Sequence, residues 1–170
     1  MATLKDQRIF LDRIERACRI ARQKGAIFNE AVATAQAAHE SGWGTSQLAR
    51  KWNNLFGMKT GSKWTGEWVE LPTWEWINGK KVPTTAKWRV YLSWNLCLVD
   101  YYHFIKDREW FAGALDYVHD AEKFFLELLP QPPSAKWPKG KWGWATDPIY
   151  YSQVKKVAVE VEQLGGPKWR

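Results

Sequence analysis

One carboxylate stands where the sequence predicts that a helix ends. The segment AAHESGWGTSQLA, residues 37–49, runs from an alanine-rich, helix-favouring stretch through Glu40 into a glycine-containing turn. Two glycines within three residues predict the end of a helix, because glycine readily adopts the positive φ found at helix termini. We therefore expect Glu40 at the mouth of a helix, next to the aromatic ring of Trp43. Aromatic neighbours that remove water from a carboxyl group raise its pKa, so that it holds a proton at neutral pH.

A carboxylic acid set among aromatic residues is typical of enzymes that cleave glycosidic bonds. One acid protonates the leaving oxygen, and a second group often acts on the opposite side of the sugar. The alternative is a solvated glutamate at a helix end, and spacing alone does not decide between the two. The three histidines, His39, His103 and His119, are too scattered for a zinc signature, and the sequence contains no Gly-rich phosphate loop or nucleophile elbow. We therefore expect no metal and no cofactor.

Tryptophan is unusually frequent, with 13 in 170 residues. Tryptophan buries a large area and presents a flat face to ring-shaped ligands. Core packing is the alternative for any single tryptophan, but so many in a small chain predict that some line a groove. Two groups stand out: Trp43, Trp52, Trp64, Trp68, Trp74, Trp76, Trp88 and Trp94, then Trp137, Trp142 and Trp144.

The net charge of +7 favours a polyanionic partner such as nucleic acid, an anionic membrane or the bacterial cell wall. Lysine and arginine are spread along the chain without a basic run of five, which argues against nucleic acid. No apolar run approaches the roughly 20 residues of a membrane span, so we expect no stable membrane insertion. The charged N-terminal segment also lacks the apolar stretch of a secretory signal.

Periodicity predicts one α+β domain over residues 1–170, with a helical body interrupted by a hairpin. Apolar residues recur every three or four positions in the first segment, up to about Gly25. Period-two alternation then predicts strands near 67–77 and 82–91, joined by a type I′ turn at Asn78-Gly79. The remaining predicted helices cover 30–40, 46–51, a segment around 96–105, 110–118, 121–129, and a last helix with Asp147 as N-cap, Pro148 at its first position and Gly165 at its end.

Four segments give the sequence a family resemblance. AQAAHESGWGTSQLA, NNLFGMK, WTGEWVELPTWEWINGKKVPTTAKWRVYLSW and WATDPIYYSQV follow the order found in peptidoglycan N-acetylglucosaminidases of glycoside hydrolase family 73. The chain resembles these bacterial and phage enzymes over roughly residues 28–165. The resemblance implies a lysozyme-like fold, with a mainly helical body and a small β-hairpin lobe over a substrate cleft. It also implies cleavage of the N-acetylglucosaminyl-β-1,4-N-acetylmuramic acid bond of bacterial peptidoglycan, leading to cell lysis.

The same resemblance assigns roles to individual residues. Glu40 matches the general acid, Glu75 the second acidic residue of the hairpin lobe, and Tyr150 a tyrosine that orients the substrate or an intermediate. Glu67 and Glu70 are competitors of Glu75. Substrate-binding positions expected from the resemblance are Trp43, Asn54, Phe56, Trp88 and Asp147.

The role of Glu75 stays open at this point. It could activate a water in an inverting enzyme, where the two carboxyl groups stand about 6.5–9.5 Å apart, or assist attack by the substrate's own 2-acetamido group. Alternation places Trp74 and Trp76 on one face of the strand, which could pack on the lobe, and Glu75 on the other, toward the cleft.

Two departures from the family pattern are visible. His39 stands beside the acid where an aliphatic residue is usual, and a protonated His39 would lower the pKa of Glu40. Segment 129–144, rich in proline, lysine and tryptophan, is either a wall-binding edge or an exposed loop.

Without an export signal, the chain is expected to be a monomeric phage endolysin. It would be made in the host cytoplasm and released to the wall by a separate holin-type system. The alternatives are a lytic transglycosylase or a muramidase on the same fold, or a non-catalytic module that binds wall glycan.

Overall fold

The computed structural model describes residues 2–77 and 80–170, without the side chains of residues 75–77 and 81. Within these residues the chain forms seven α-helices, one 3₁₀ helix and one antiparallel hairpin, which confirms the predicted α+β class. The elements are α1 (Leu4–Gln23), α2 (Glu30–Ser41), α3 (Gln47–Trp52), β1 (Trp68–Ile77), β2 (Lys80–Arg89), α4 (Trp94–Lys106), α5 (Glu109–Ala112), a 3₁₀ helix (Gly113–Tyr117), α6 (Ala121–Glu127) and α7 (Tyr150–Gln163).

Helix α2 forms the centre of the helical body. Asn29 caps its start by accepting a hydrogen bond from the backbone N–H of Val32. Every residue from Ala31 to Ala38 is buried, and α1, α6 and α7 pack around the helix. Small alanine side chains let these neighbours approach closely. Glu40 lies in the last turn of this helix, two residues after its buried run.

The hairpin is attached to the body at its base. Its register pairs Trp68 with Arg89 at the base and Ile77 with Lys80 at the tip, and the Asn78-Gly79 turn lies outside the described residues. The backbone N–H of Thr60 donates to the carbonyl of Lys87, which joins β2 to the loop that follows α3. Farther out, the described parts of the two strands pair mainly with each other.

The two faces of the hairpin differ in exposure. Val69, Leu71 and Thr73 are half-buried, whereas Trp68 and Trp74 are 49% and 58% exposed. The expectation that the Trp74 face packs on the lobe is therefore wrong, because that face is turned to solvent. The register places position 75 in line with the half-buried residues, and its side chain lies outside the described residues.

Two predicted helix boundaries are also wrong. Asp147 is not the N-cap of the last helix, which begins at Tyr150 after Ile149. The Asp147 carboxylate instead accepts from the backbone N–H of Ile149 at 3.0 Å, a local turn that competes with capping. The helix predicted over 110–118 is divided into α5 and the 3₁₀ helix, where Gly113 weakens continuous α-helical structure.

Candidate active site

The turn after Glu40 is built from three successive residues in the left-handed region. Gly42, Trp43 and Gly44 have φ values of 57°, 59° and 74°. This conformation is unfavourable for Trp43, which has a side chain, and such strain is characteristic of functional sites. The backbone N–H of Gly44 donates to the Ser41 hydroxyl at 2.7 Å, which helps to hold the turn. The helix thus stops abruptly, one residue after Glu40.

Gly44 cannot be replaced without rearrangement. A Cβ at this position would lie 2.9 Å from the Trp94 ring and 3.2 Å from the Phe10 ring. Trp43 itself is only 9% exposed, and its ring meets Phe10 edge to face at a centroid distance of 5.7 Å. Trp43 therefore anchors the turn in the core, and this packing argues against direct sugar contact by its ring.

A buried chain of hydrogen bonds ends on the Glu40 carboxyl group. The Tyr101 hydroxyl donates to Gln36 Oε1 at 2.7 Å, and Gln36 Nε2 donates to the Tyr150 hydroxyl at 3.0 Å. The Tyr150 hydroxyl in turn donates to Glu40 Oε1 at 2.8 Å. Gln36 and Tyr101 are completely buried, so three helices, α2, α4 and α7, meet at this chain.

The order of donors and acceptors in these hydrogen bonds follows from the buried Tyr101 hydroxyl at one end. Gln36 is the only hydrogen-bond partner that the described residues offer to the Tyr101 hydroxyl. If the Gln36 amide were reversed, the Tyr101 proton would be buried without an acceptor, at a cost of about 1–3 kcal/mol. The amide nitrogen therefore faces Tyr150, whose own proton is left to point at Glu40. The Glu40 oxygen Oε1 is thus bound by Tyr150, and the carboxyl group is also hydrogen-bonded by the Trp144 side chain.

The surroundings of Glu40 favour its protonated form. Burial raises the pKa of this carboxyl group above its usual value, and this effect outweighs the hydrogen bond from Tyr150, the charge of a protonated His39 and the contribution of Trp144. The His39 ring lies edge-on to Tyr150 at a centroid distance of 5.5 Å. The aromatic side chains that hydrogen-bond to Glu40 are those of Tyr150 and Trp144, whereas the Trp43 ring packs against Phe10.

Segment 129–144 is tied to the body and carries Trp144 into the site. Trp137 is buried against Trp110 at a centroid distance of 5.4 Å. The buried Lys141 side chain pairs with Glu127 at 3.0 Å, and Gln131 forms a β-bridge with Lys141. Trp137 and Lys141 thus anchor a segment in which nine of the sixteen residues are exposed, among them Trp142 at 69%. Both alternatives, a wall-binding edge and an exposed loop, stay predictions.

Phe56 and Asn54 lie below this site in the loop after α3. Phe56 is buried and stacks on Tyr101, with ring centroids 4.4 Å apart. The Asn54 amide donates to the carbonyls of Met58 and Arg89, and its oxygen accepts from the backbone N–H of Met58. Because all of these contacts are internal, Asn54 acts as a brace between the loop and the hairpin base.

The side chains of two other predicted positions, Trp88 and Asp147, are not part of this series of hydrogen bonds. Trp88 is half-buried at the hairpin base, where the Lys59 ammonium lies 5.6 Å from its ring centroid. Asp147 is exposed at the approach to α7. The structure therefore brings together Glu40 and Tyr150 directly, places Phe56 and Asn54 beneath them, and leaves the side chain of Glu75 outside the described residues.

The described residues contain no group of three His, Cys, Asp or Glu side chains placed to hold a metal ion. Among the helices in the same part of the chain, none is long and apolar enough to pass through a bilayer.

Comparison with known proteins identifies the family. The glucosaminidase family, described as mannosyl-glycoprotein endo-beta-N-acetylglucosaminidase, matches residues 16–163. The chain belongs to this family, glycoside hydrolase family 73. Members of the family are glycoside hydrolases, so the predicted enzyme class is confirmed.

Sequence relatives are peptidoglycan hydrolases and glucosaminidases. Peptidoglycan hydrolase FlgJ of Pseudomonas aeruginosa is 35% identical over 132 residues, which cover 75% of this chain and 30% of that protein. Exo-glucosaminidase LytG of Bacillus subtilis is 29% identical over 155 residues, or 91% of this chain and 51% of that protein. The family member described here thus spans about a third to a half of the length of these relatives.

Solved structures have the same architecture. A truncated glycoside hydrolase domain of FlgJ from Salmonella typhimurium matches with a TM-score of 0.68 and 27% identity, covering 92% of this chain and 98% of that one. A mutant peptidoglycan hydrolase of Sphingomonas sp. A1 matches with a TM-score of 0.71 and 28% identity, covering 92% and 97%. The expected lysozyme-like fold is confirmed.

Three residues of the site were missed by sequence reasoning. Gln36 and Tyr101 resemble ordinary helix residues in the sequence, and Trp144 lies in an irregular loop. The only sequence signal for Gln36 is its spacing of four residues before Glu40, which places both side chains on one face of a helix.

Proposed function

We propose that this chain hydrolyses bacterial peptidoglycan at the N-acetylglucosaminyl-β-1,4-N-acetylmuramic acid bond, with Glu40 as the general acid. The observation that carries the proposal is the Glu40 carboxyl group itself, which is largely buried, raised in pKa and held through one oxygen by Tyr150. A raised pKa favours the protonated form of the carboxyl group, and the bond from Tyr150 holds that group in a fixed position, as general acid catalysis requires. The names of the relatives, peptidoglycan hydrolase and exo-glucosaminidase, supply the substrate class.

In the proposed reaction, the oxygen of Glu40 that is not bound by Tyr150 carries the proton. This proton passes to the glycosidic oxygen as the bond from that oxygen to C1 of N-acetylglucosamine breaks. The sugar develops oxocarbenium character, and the electrons of the broken bond leave with the protonated oxygen. The Tyr150 hydroxyl, which already points at Glu40, stabilises the carboxylate that remains. A water then adds its hydroxide to C1. Its proton goes to Glu75 if Glu75 activates the water, with solvent exchange restoring both groups, or to Glu40 on the acetamido-assisted route.

Glu75 is proposed as the second group, acting on the face of the sugar opposite Glu40. Its support is positional, because the strand register aligns it with the half-buried face of the hairpin rather than with the solvent-exposed face. It either activates the water or assists the substrate's 2-acetamido group, and Tyr150 serves the second route equally well. Trp88 is on the same face by register, and we assign it to substrate binding with Phe56 at the cleft floor.

The remaining proposals concern the setting of the reaction. Residues 1–170 are proposed to act as one catalytic domain and as a monomer. Phage origin and release by a holin-type partner stay predictions.

Analysis of the products tests the proposed bond. Purified wall is digested with the protein, reduced with borohydride and hydrolysed, and the sugar alcohols are identified by mass spectrometry. Glucosaminitol is expected, because the cut leaves N-acetylglucosamine at the reducing end. Muramicitol would identify a muramidase, anhydro-muramic ends would identify a lytic transglycosylase, and binding without any product would identify a glycan-binding module.

A further inference from the structure

A groove adjoins the proposed active site on the side of Trp144. It has a volume of about 300 Å³ and is lined in part by Phe56, Lys59, Arg89, Phe104, Arg108 and Trp144. Trp144 joins the groove to the acid, because this indole also contributes to the environment of the Glu40 carboxyl group. The groove therefore begins one aromatic ring away from the proposed proton donor.

The lining of this basic groove carries positively charged side chains. Three of its lining residues are cationic, and none of the described lining residues is acidic. Arg89 is neutralised from outside the groove, since its Nη1 donates to Asp100 Oδ2 at 2.6 Å. Asp107, the acidic residue next to Arg108 in sequence, is exposed and lies 3.9 Å from His103. Arg108 has no ion pair with a carboxylate among the described residues.

Arg108 is also held in a defined orientation. Its guanidinium carbon lies 3.5 Å from the centroid of the Phe104 ring, and its Nη1 donates to the Phe104 carbonyl at 3.1 Å. No other acceptor for its remaining N–H groups is present among the described residues. Burial and the charge of Arg89 lower the pKa of Arg108, and the charges of Asp100 and Asp107 oppose this shift without cancelling it. A planar guanidinium fixed against a ring presents its remaining N–H groups as a donor for a carboxylate.

We propose that the basic groove binds a carboxylate borne by the muramic acid unit of the glycan, and that Arg108 is its principal ligand. This inference rests on the proposed function and adds a reason for substrate choice, because neutral N-acetylglucosamine polymers carry no such group. The carboxylate has two possible sources. In a peptide-free strand it is the lactyl group itself, and in intact wall, where the lactyl group is amide-linked, it is an acid of the stem peptide.

Four substrates with the same scissile bond test this binding. Intact glycan with its stem peptides and glycan stripped of peptides by an amidase are each used directly and after conversion of their carboxylates to methylamides. The wild-type protein should cleave at least one carboxylate form on the order of tenfold faster, in kcat/KM, than its methylamide form, which is the size of one charge-assisted hydrogen bond. The form that shows the preference identifies the source of the carboxylate.

Variants then assign the effect to Arg108. Arg108→Gln should bring the ratio of carboxylate to methylamide rates close to one, chiefly through KM, and Arg108→Lys should keep part of the ratio. Lys106→Gln is the matched control, since it removes one positive charge two residues before Arg108, at an exposed side chain beside Tyr102 at the end of α4, and should keep the wild-type ratio. Thermal unfolding of each variant separates loss of binding from loss of structure.

Two outcomes would overturn the inference while leaving the proposed function intact. The wild-type protein could release reducing N-acetylglucosamine from all four substrates at equal rates, or Arg108→Gln and Lys106→Gln could lower the ratio equally. Failure to release that sugar from any substrate would instead contradict the proposed function, and the inference with it.

Discussion

The helical core contributes a buried, firmly held residue to the proposed site, whereas the hairpin contributes an exposed surface. Glu40 sits at the end of α2, a helix buried on all sides, and is held by a hydrogen-bonded chain that reaches fully buried residues. The hairpin is attached at its base, and its two prolines, Pro72 and Pro83, lie on strands that have no strand partner but each other among the described residues. Its outer tryptophans, Trp68 and Trp74, are half exposed.

We infer from this difference that the helical body sets the pKa of Glu40, whereas the hairpin serves recognition of the glycan. Raising the pKa of Glu40 requires removal of water, and only the packed helical body provides that. Recognition of a long glycan requires accessible surface, which the hairpin offers. Substitutions in the core should therefore change the chemistry and the pH dependence, whereas substitutions on the exposed parts of the hairpin should change them little.

The largest effect is expected at Glu40 itself. Glu40→Gln preserves shape and still accepts the hydrogen bond from Tyr150, but it cannot donate a proton. Wall hydrolysis, measured by turbidity clearing, should fall by at least about 10²–10⁴-fold, the contribution of general acid catalysis. If the Glu40→Gln protein folds and still clears turbidity at a nearly normal rate, Glu40 is not the general acid.

The next effect tests whether the hairpin contributes chemistry at one position. Glu75→Gln should lower kcat by about 10²-fold, as expected for loss of a general base or charge stabiliser. Glu67→Gln and Glu70→Gln are matched controls, since both residues are exposed and Glu70 only accepts a hydrogen bond from Thr85 at 2.6 Å. Each control should change stability by no more than about 0.5 kcal/mol. If all three variants keep wild-type activity, the second group lies outside the hairpin.

A smaller effect is expected when the buried series of hydrogen bonds that ends on Glu40 is interrupted. Tyr150→Phe removes the hydrogen bond to Glu40 and should lower kcat by about 10–100-fold, the value of one hydrogen bond to a charged group. Because that bond lowers the pKa of Glu40, its loss should also move the alkaline limb of the pH–rate profile to higher pH. Gln36→Leu should shift the profile in the same direction by less. An unchanged alkaline limb in Tyr150→Phe would show that the series of hydrogen bonds does not control the pKa of Glu40.

The smallest effect concerns stability. The pKa of Glu40 is higher in the folded protein than in the unfolded chain, so ionisation of Glu40 costs stability as pH rises through the folded value. Glu40→Gln cannot ionise, and it should unfold a few degrees higher than the wild type at pH 7. The advantage should disappear below about pH 4, where both states of the wild type are protonated. Equal unfolding temperatures at both pH values would contradict the claim that the core raises this pKa.

The part of the site that could be predicted from sequence is its local part. Two glycines after an alanine-rich run predicted the end of α2, and Gly42 and Gly44 do adopt positive φ there. The strand alternation predicted the hairpin within about two residues at each end. Hydrophobic periodicity and the positions of glycines determine the structure of a few neighbouring residues, so both can be interpreted from a single sequence.

The long-range part could not be predicted in the same way. The bonds from Gln36 to Tyr101 and to Tyr150 join residues 65 and 114 positions apart, and no local pattern encodes them. Trp43 was expected to bind substrate because of the family resemblance, but its ring is buried against Phe10. The burial of Lys141 beside Glu127 likewise depends on tertiary packing in a segment without periodicity.

Titration of the Glu40 carboxyl carbon by NMR tests the central claim most directly. The signal is assigned by its loss in Glu40→Gln, and the chemical shift is followed from acidic to alkaline pH. The account predicts a pKa clearly above 4.5, the ordinary value for this side chain, and an alkaline limb of wall hydrolysis that follows the same titration. A pKa at or below 4.5, or an activity profile independent of it, would contradict Glu40 as the protonated acid of this enzyme.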